Sequence, residues 1–225
     1  MMDPLPPTGD ETKIYVLGGY ASIRALWMYG SYADFVTRRR KTIITLPIGV
    51  AGTGHVIYNG TIYYPQYNTA KVTEAHGDQH LPGALYQNQG QFSFGCYSDI
   101  DLAADERGLW AVYTTTANDG YIRHQQNCTP LHCRNTWRTN AKKLNVGNTF
   151  FICGVMYSVE AHTILDNRVS YQYDTNTQEQ NLISIPFSIK YGLLTQMLYN
   201  ARHRAIFAWD NGHLISYPVE FQPSR

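Results

Sequence analysis

The stretch His55-Val56-Ile57-Tyr58-Asn59-Gly60-Thr61-Ile62-Tyr63-Tyr64 reads as a β-hairpin from end to end. Runs rich in β-branched and aromatic residues flank Asn59-Gly60, a dipeptide that accepts positive φ at both central positions of a two-residue turn. The same plan recurs three times downstream. Asp99 to Ala104 turns through Asp105-Glu106-Arg107-Gly108 into Leu109 to Tyr113. Thr149 to Ile152 turns at Cys153-Gly154 into Val155 to Val159, and Gln196 to Tyr199 turns over Asn200 to Arg204 into Ala205 to Trp209. The turn markers Gly60, Arg107, Gly154 and His203 stand 47, 47 and 49 residues apart. That spacing suits a four-stranded propeller blade, and the intervals hold further strand-like runs at Tyr121–Gln126, Arg134–Arg138, Arg168–Tyr173 and Leu182–Phe187.

A chain of 225 residues holds about 4.8 such units, with Lys13 to Val36 supplying the incomplete one. The expected fold is therefore all-β, a five-bladed β-propeller whose ring closes by pairing of the chain-terminal strands and so leaves no open sheet edge. A β-sandwich also offers many short strands but gives no reason for the period. The propeller is expected over residues 13–221, preceded by a structureless segment 1–12 and followed by a short tail 222–225. No segment has a convincing helical period.

Composition agrees and excludes other classes. Tyr and Gly contribute 18 residues each, and charged residues are only 16%, as strands and turns require. With 18 Lys+Arg against 17 Asp+Glu there is no excess charge to draw nucleic acid or anionic lipid. The longest uncharged stretch, Thr42 to Gly54, is broken by Pro47 and three glycines, so membrane insertion is not expected. Residues Met1 to Thr12 lack the basic-then-apolar pattern of a secretory leader. The sequons at Asn59 and Asn127 nevertheless suit an extracellular setting, as does Cys128 beside Cys133, whose separation by Thr129-Pro130-Leu131-His132 allows a hairpin disulfide or two free thiols. Zinc is disfavoured, because His124, Cys128, His132 and Cys133 match no structural-zinc spacing. The one dense charge run, Arg38-Arg39-Arg40-Lys41, suits either an acidic partner or a cation-protected edge strand.

Set side by side, the repeats resemble the olfactomedin domain family. The resemblance lies in Gly52 to Gly60, Tyr97 to Ala103, Gly108-Leu109-Trp110, Gly147 to Val155 and Ala208 to His213, with weaker agreement at Arg24 to Met28 and Tyr173 to Thr177. It implies a secreted or ectodomain propeller that binds other proteins without catalysis. It also implies a buried calcium held by Asp101, the Asn148 side chain, the carbonyls of Thr149 and Met197, and a second aspartate. Here that last position is Leu198. Calcium is then expected to bind more weakly, since the ion usually takes 6 to 8 oxygens. Asp99 lies two residues from Asp101 on the same strand face and offers a compensating carboxylate. The alternatives are sodium, water, or a metal-free channel in which Asp101 and Asn148 hydrogen-bond. The family's clasp cysteine near the domain start is missing, which leaves Cys153 a free buried thiol or a partner for Cys96.

The function expected is a non-catalytic extracellular module that recognises secreted proteins or receptor ectodomains in adhesion, matrix organisation or signalling, with oligomerisation only through regions outside this chain. No nucleophile-elbow, zinc-protease or phosphate-loop motif is present in the sequence. The competing reading is a metal-dependent hydrolase or glycosyl-transferring enzyme built on Asp99 and Asp101.

Overall fold

The computed structural model describes residues 1–74, 77–87, 97, 99–129 and 132–221, with 127–129 and 132–134 described through their backbone only. Its strands form five antiparallel sheets in chain order. The first contains β1 (Ile14–Leu17), β2 (Ala21–Tyr29) and β3 (Lys41–Ala51). The second runs through β4 (Val56–Tyr58), β5 (Thr61–Pro65), β6 (Lys71–Glu74) and β7 (Gly77–His80), and the third through β8 (Ile100–Asp105), β9 (Gly108–Tyr113), β10 (Tyr121–Thr129) and β11 (His132–Lys142). The fourth holds β12 (Asn148–Ile152), β13 (Val155–Val159), β14 (Asp166–Asp174) and β15 (Gln180–Ser188), and the fifth β16 (Leu194–Asn200), β17 (Ala205–Asp210) and β18 (His213–Pro218). The leading strands converge: β8 lies against β4, β12 and β16, and β12 against β16. This is a five-bladed β-propeller, its blades wound outward from a central channel.

The repeated turns sit where the period places them. Asn59 and Gly60 adopt φ of 50° and 75°, and Cys153 and Gly154 adopt 52° and 82°, so both inner hairpins use the left-handed pair that a two-residue turn demands. Inner strands are covered on both faces by neighbouring blades, which is why every residue of β8 and β9 is buried. Trp110 fills the seam between third and fourth blades, stacked on Phe151 with ring centroids 4.3 Å apart. Trp209 meets Phe35 between the fifth and first blades, whereas Trp27 is half-buried under the Lys41 ammonium.

Carboxylates latch one blade to the next. Asp105, at the end of β8, accepts the Gly154 N–H of the following blade at 2.6 Å, and the neighbouring Glu106 accepts the Cys153 N–H at 2.9 Å. Asp3 does the same for the second blade, accepting the N–H groups of Asn59 at 3.1 Å and Gly60 at 2.6 Å. Residues 1–12, expected to lack structure, are therefore organised. Met1 and Tyr15 exchange backbone hydrogen bonds, and Met1 and Asp3 are buried, because Asp3 finds the bare N–H groups of a turn 56 residues away.

Ring closure also differs from expectation. Among the described residues β1 and β18 belong to separate sheets and share no ladder. The first and last blades are joined instead by Asn200 Nδ2 donating to the Met2 carbonyl at 3.4 Å, Arg202 Nη1 donating to the Glu11 carbonyl at 2.9 Å, and the Phe35–Trp209 contact. A short helix α1 (Tyr32–Thr37) interrupts the first blade, capped by Ser31, whose hydroxyl accepts the Asp34 N–H at 3.1 Å. Cys153 is exposed rather than buried, because the tight turn lifts it out of the blade seam. The tail 222–225 and Cys96 lie outside the described residues.

Candidate functional site: the propeller channel

β8 and β12 bring three of the expected residues, Asp101, Asn148 and Thr149, together, with Asp99 just ahead of β8. Asp99 and Asp101 are 2% and 6% exposed, Asn148 is 7% and Thr149 fully buried. Thr149 Oγ1 donates to Asp101 Oδ2 at 3.3 Å, and Asn148 Oδ1 accepts the Thr149 N–H at 2.9 Å. Blade two reaches in through Gly54, whose carbonyl accepts the Leu102 N–H at 3.0 Å. A Cβ on Gly54 would lie 2.5 Å from the Ile100 carbonyl oxygen and 2.8 Å from Asp101 Oδ1, so only glycine permits this approach. Blade five closes the ring of contacts: Gln196 Nε2 donates to the His55 carbonyl at 2.8 Å, and the Thr53 hydroxyl donates to the Thr195 carbonyl at 2.7 Å.

The unexpected member is Lys143, only 1% exposed. It belongs to a single 3₁₀ turn, Lys143–Asn145, between the third and fourth blades, and its ammonium donates to the Asp99 carbonyl. Burial pulls this lysine down to about 7, while the Asp99 and Asp101 carboxylates pull it back up. Burial pushes Asp101 up to about 7, against the opposing pull of Lys143, the Thr149 hydroxyl and the Leu102 N–H. In Ala141-Lys142-Lys143 nothing distinguishes the buried lysine from its neighbour, and sequence reasoning missed it.

Several of these groups already have partners within the protein. The Asn148 oxygen is engaged by the Thr149 N–H, one Asp101 oxygen by the Thr149 hydroxyl, and Lys143 already brings positive charge to the two aspartates. Met197 and Leu198 are buried at 2% and 6%, their side chains in different apolar clusters, with Leu198 among Ile100, Leu102 and Ala103. Among the described residues no group of three or more His, Cys, Asp and Glu side chains is placed to hold a metal. Beside Asp99, a crevice lined by Gln66, Asn68, Tyr97 and Ile100 has a volume of about 10 Å³, at the lower limit for one water.

The remaining sequence candidates lie elsewhere. Asn59 is exposed at its turn. The side chains of Asn127, Cys128 and Cys133 lie outside the described residues. His124 is fully buried among aromatic rings, stacked on Trp137 with centroids 5.4 Å apart, and burial holds it down at about 3. No helix among the described residues is long and apolar enough to cross a membrane.

A family profile described as an olfactomedin-like domain matches residues 1–224. Myocilin of Bos taurus is 35% identical over 232 residues, covering 98% of this chain and 47% of the relative. Myocilin of Rattus norvegicus is 33% identical over 230 residues, covering 98% of this chain and 46% of the relative. The chain thus spans about half the length of the curated relatives it matches. Among solved structures, the β-propeller domain of Myceliophteria thermophila Cps50 (Swd1) superimposes with a TM-score of 0.48 at 9% identity, covering 93% of this chain and 67% of that one. With the profile spanning nearly every residue and the myocilins aligning from end to end, this chain belongs to the olfactomedin-like domain family.

Proposed function

We propose that this chain is a non-catalytic extracellular recognition module whose partner-binding surface is the α1 and β3 side of the first blade. The observation carrying this reading is a face that is both cationic and apolar. Tyr32, Val36 and Ile43 are 67%, 57% and 56% exposed, and beside them Arg38, Arg39 and Arg40 are exposed in succession. Neither ion pair among the described residues, Lys13–Asp10 or Lys71–Asp78, involves these arginines. β3 is also the outermost strand of its sheet; Gly49 and Val50 already meet Tyr67 and Gln66, and the edge ahead of Gly49 is the part offered to an extended segment. The partner that fits is an acidic segment of a secreted protein or receptor ectodomain with apolar anchors, since charge steers the encounter and buried anchors hold the complex. Adhesion, matrix organisation and signalling would all use such a surface.

The enzyme reading has weaker support. Asp99 and Asp101 are 2% and 6% exposed, which gives a substrate little access to their carboxylates. Membership in the olfactomedin-like family favours an interaction role, and the exposed Asn59 is the glycan acceptor we propose for a secreted product.

The test is a panel of purified ectodomains screened against the chain and against a variant carrying Arg38→Glu, Arg39→Glu and Arg40→Glu. Binding should weaken by roughly tenfold or more on charge reversal and fall steeply with added salt. Binding that ignores the reversal would place the surface elsewhere. Turnover of an ester or glycoside panel, lost in Asp101→Asn with folding intact, would replace the recognition reading with the enzymatic one.

A further inference from the structure

We infer that the propeller channel carries its own cation: the side chain of Lys143 takes the charge-balancing place that a divalent metal would fill, and the fold is calcium-independent. Three observations converge. First, Lys143 is 1% exposed and its ammonium is fixed by the Asp99 carbonyl, so it is built into the channel wall rather than folded back from the surface. Its strongest attractions are to the Asp99 and Asp101 carboxylates, the two anions that a divalent ion would need. Second, two of the uncharged side-chain oxygens already have partners within the protein. Asn148 Oδ1 holds the Thr149 N–H, and the Thr149 hydroxyl is spent on Asp101. Third, the inner strand of the fifth blade presents Leu198, 6% exposed and packed with Ile100 and Leu102, so it supplies packing and no anion.

Charge counting gives the same answer. Two carboxylates and one ammonium leave a residual charge of one negative, which a divalent ion would overshoot to one positive. An uncompensated charge of either sign is costly where water is excluded, and one proton is enough to cancel the negative one. The side-chain oxygens of Asp101, Asn148 and Thr149 number fewer than the 6 to 8 that calcium usually takes.

The test is calcium titration calorimetry together with thermal melting in calcium chloride and in chelator, at fixed potassium chloride. For the unaltered chain we expect no binding heat and melting temperatures that agree within about 1 °C, as follows when a ligand has no affinity for the native state. Leu198→Asp adds the missing anion on the facing strand, and should bind calcium and melt several degrees higher with it than in chelator. Lys143→Met vacates the ammonium and should melt below the unaltered chain in chelator, with calcium restoring part of the loss. If Lys143→Met does not fold, the unaltered chain and Leu198→Asp decide between them. Stoichiometric calcium binding by the unaltered chain with a rise of several degrees would overturn the inference. So would a sodium-specific stabilisation of the unaltered chain, or a Leu198→Asp variant as silent toward calcium as its parent.

Discussion

Asp105→Asn is the substitution that most directly tests how the blades are joined. The carboxylate is 3% exposed and serves three donors: Oδ1 accepts Trp110 Nε1 at 2.7 Å and the Arg107 N–H at 2.9 Å, and Oδ2 accepts the Gly154 N–H at 2.6 Å. The first two bonds hold its own hairpin, and the third reaches the next blade. Asparagine keeps one acceptor oxygen, enough for Trp110 and Arg107, but turns an NH₂ group toward Gly154. One charge-assisted bond worth about 1.5–3 kcal/mol is lost, and a buried N–H is left facing another donor. Part of this is offset, because burial already works against the ionised carboxylate and lifts Asp105 above its ordinary range despite its three donors. The net loss should be about 2 kcal/mol, which for a chain of this size lowers the melting temperature by roughly 4–8 °C. Asp105→Ala strands all three donors and should cost about 4 kcal/mol, or roughly 8–16 °C. The assay is thermal unfolding at neutral pH, followed by circular dichroism, with the exposed Glu179→Gln as control. A drop below about 1 °C for Asp105→Asn, or equal losses for the Asn and Ala variants, would refute the latch.

Two further predictions concern the core. His124 has no hydrogen-bond partner for either ring nitrogen and is held down at about 3 by burial, so unfolding takes up a proton as the solution is acidified. Its stabilising share is complete above the unfolded value near 6.5 and is lost toward 3 at up to roughly 1.4 kcal/mol per pH unit. His124→Phe should leave stability at neutral pH within about 1.5 kcal/mol and flatten the acid decline measured by urea unfolding; an unchanged slope would show that other groups set it. Gly54→Ala would put a methyl group 2.5 Å from the Ile100 carbonyl oxygen and 2.7 Å from the Asp101 Cα, both backbone atoms of the channel wall or its entry. Overpacking of this kind should cost about 2–3 kcal/mol in urea unfolding, and a neutral result would mean that the second and third blades are less tightly apposed than described.

What the sequence discloses about this chain is what local chemistry encodes. Asn59-Gly60 announces its turn because few other dipeptides tolerate positive φ twice, and the 47-residue recurrence follows because every blade must begin with a similar inner hairpin. Asp101 sits on β8 as strand alternation leads one to expect, whereas Asp99 lies one residue before that strand, so alternation does not govern it. Lys143 is not legible, since its burial is decided by a single 3₁₀ turn that aims one of two adjacent lysines inward. The opening residues mislead in the same way. A polar, proline-rich run looks structureless until Asp3 meets the free N–H groups of the Asn59-Gly60 turn, a pairing that exists only in three dimensions. Helix α1 is too short for any period, and its sole local signal is the Ser31 cap with Asp34 three residues on.

The same reasoning bears on what holds the ring shut. The family resemblance leads one to look for a covalent clasp at Cys153, yet here the thiol is exposed, free, and pushed above its ordinary range first by partial burial and then by Glu106. A disulfide acts chiefly by limiting the unfolded chain, whereas Asp3, Asp105 and Glu106 act on the folded one, each pinning a turn of the next blade through backbone N–H groups that would otherwise lack partners. Only proline removes a backbone donor, so the latch tolerates other changes in the turn as long as the carboxylate and the left-handed geometry persist. Lys143 has the same character: a buried ammonium met by the Asp99 carbonyl 44 residues away. The blade latches and the Lys143–Asp99 bond therefore share one habit of this sequence, which satisfies buried polar groups with its own distant residues.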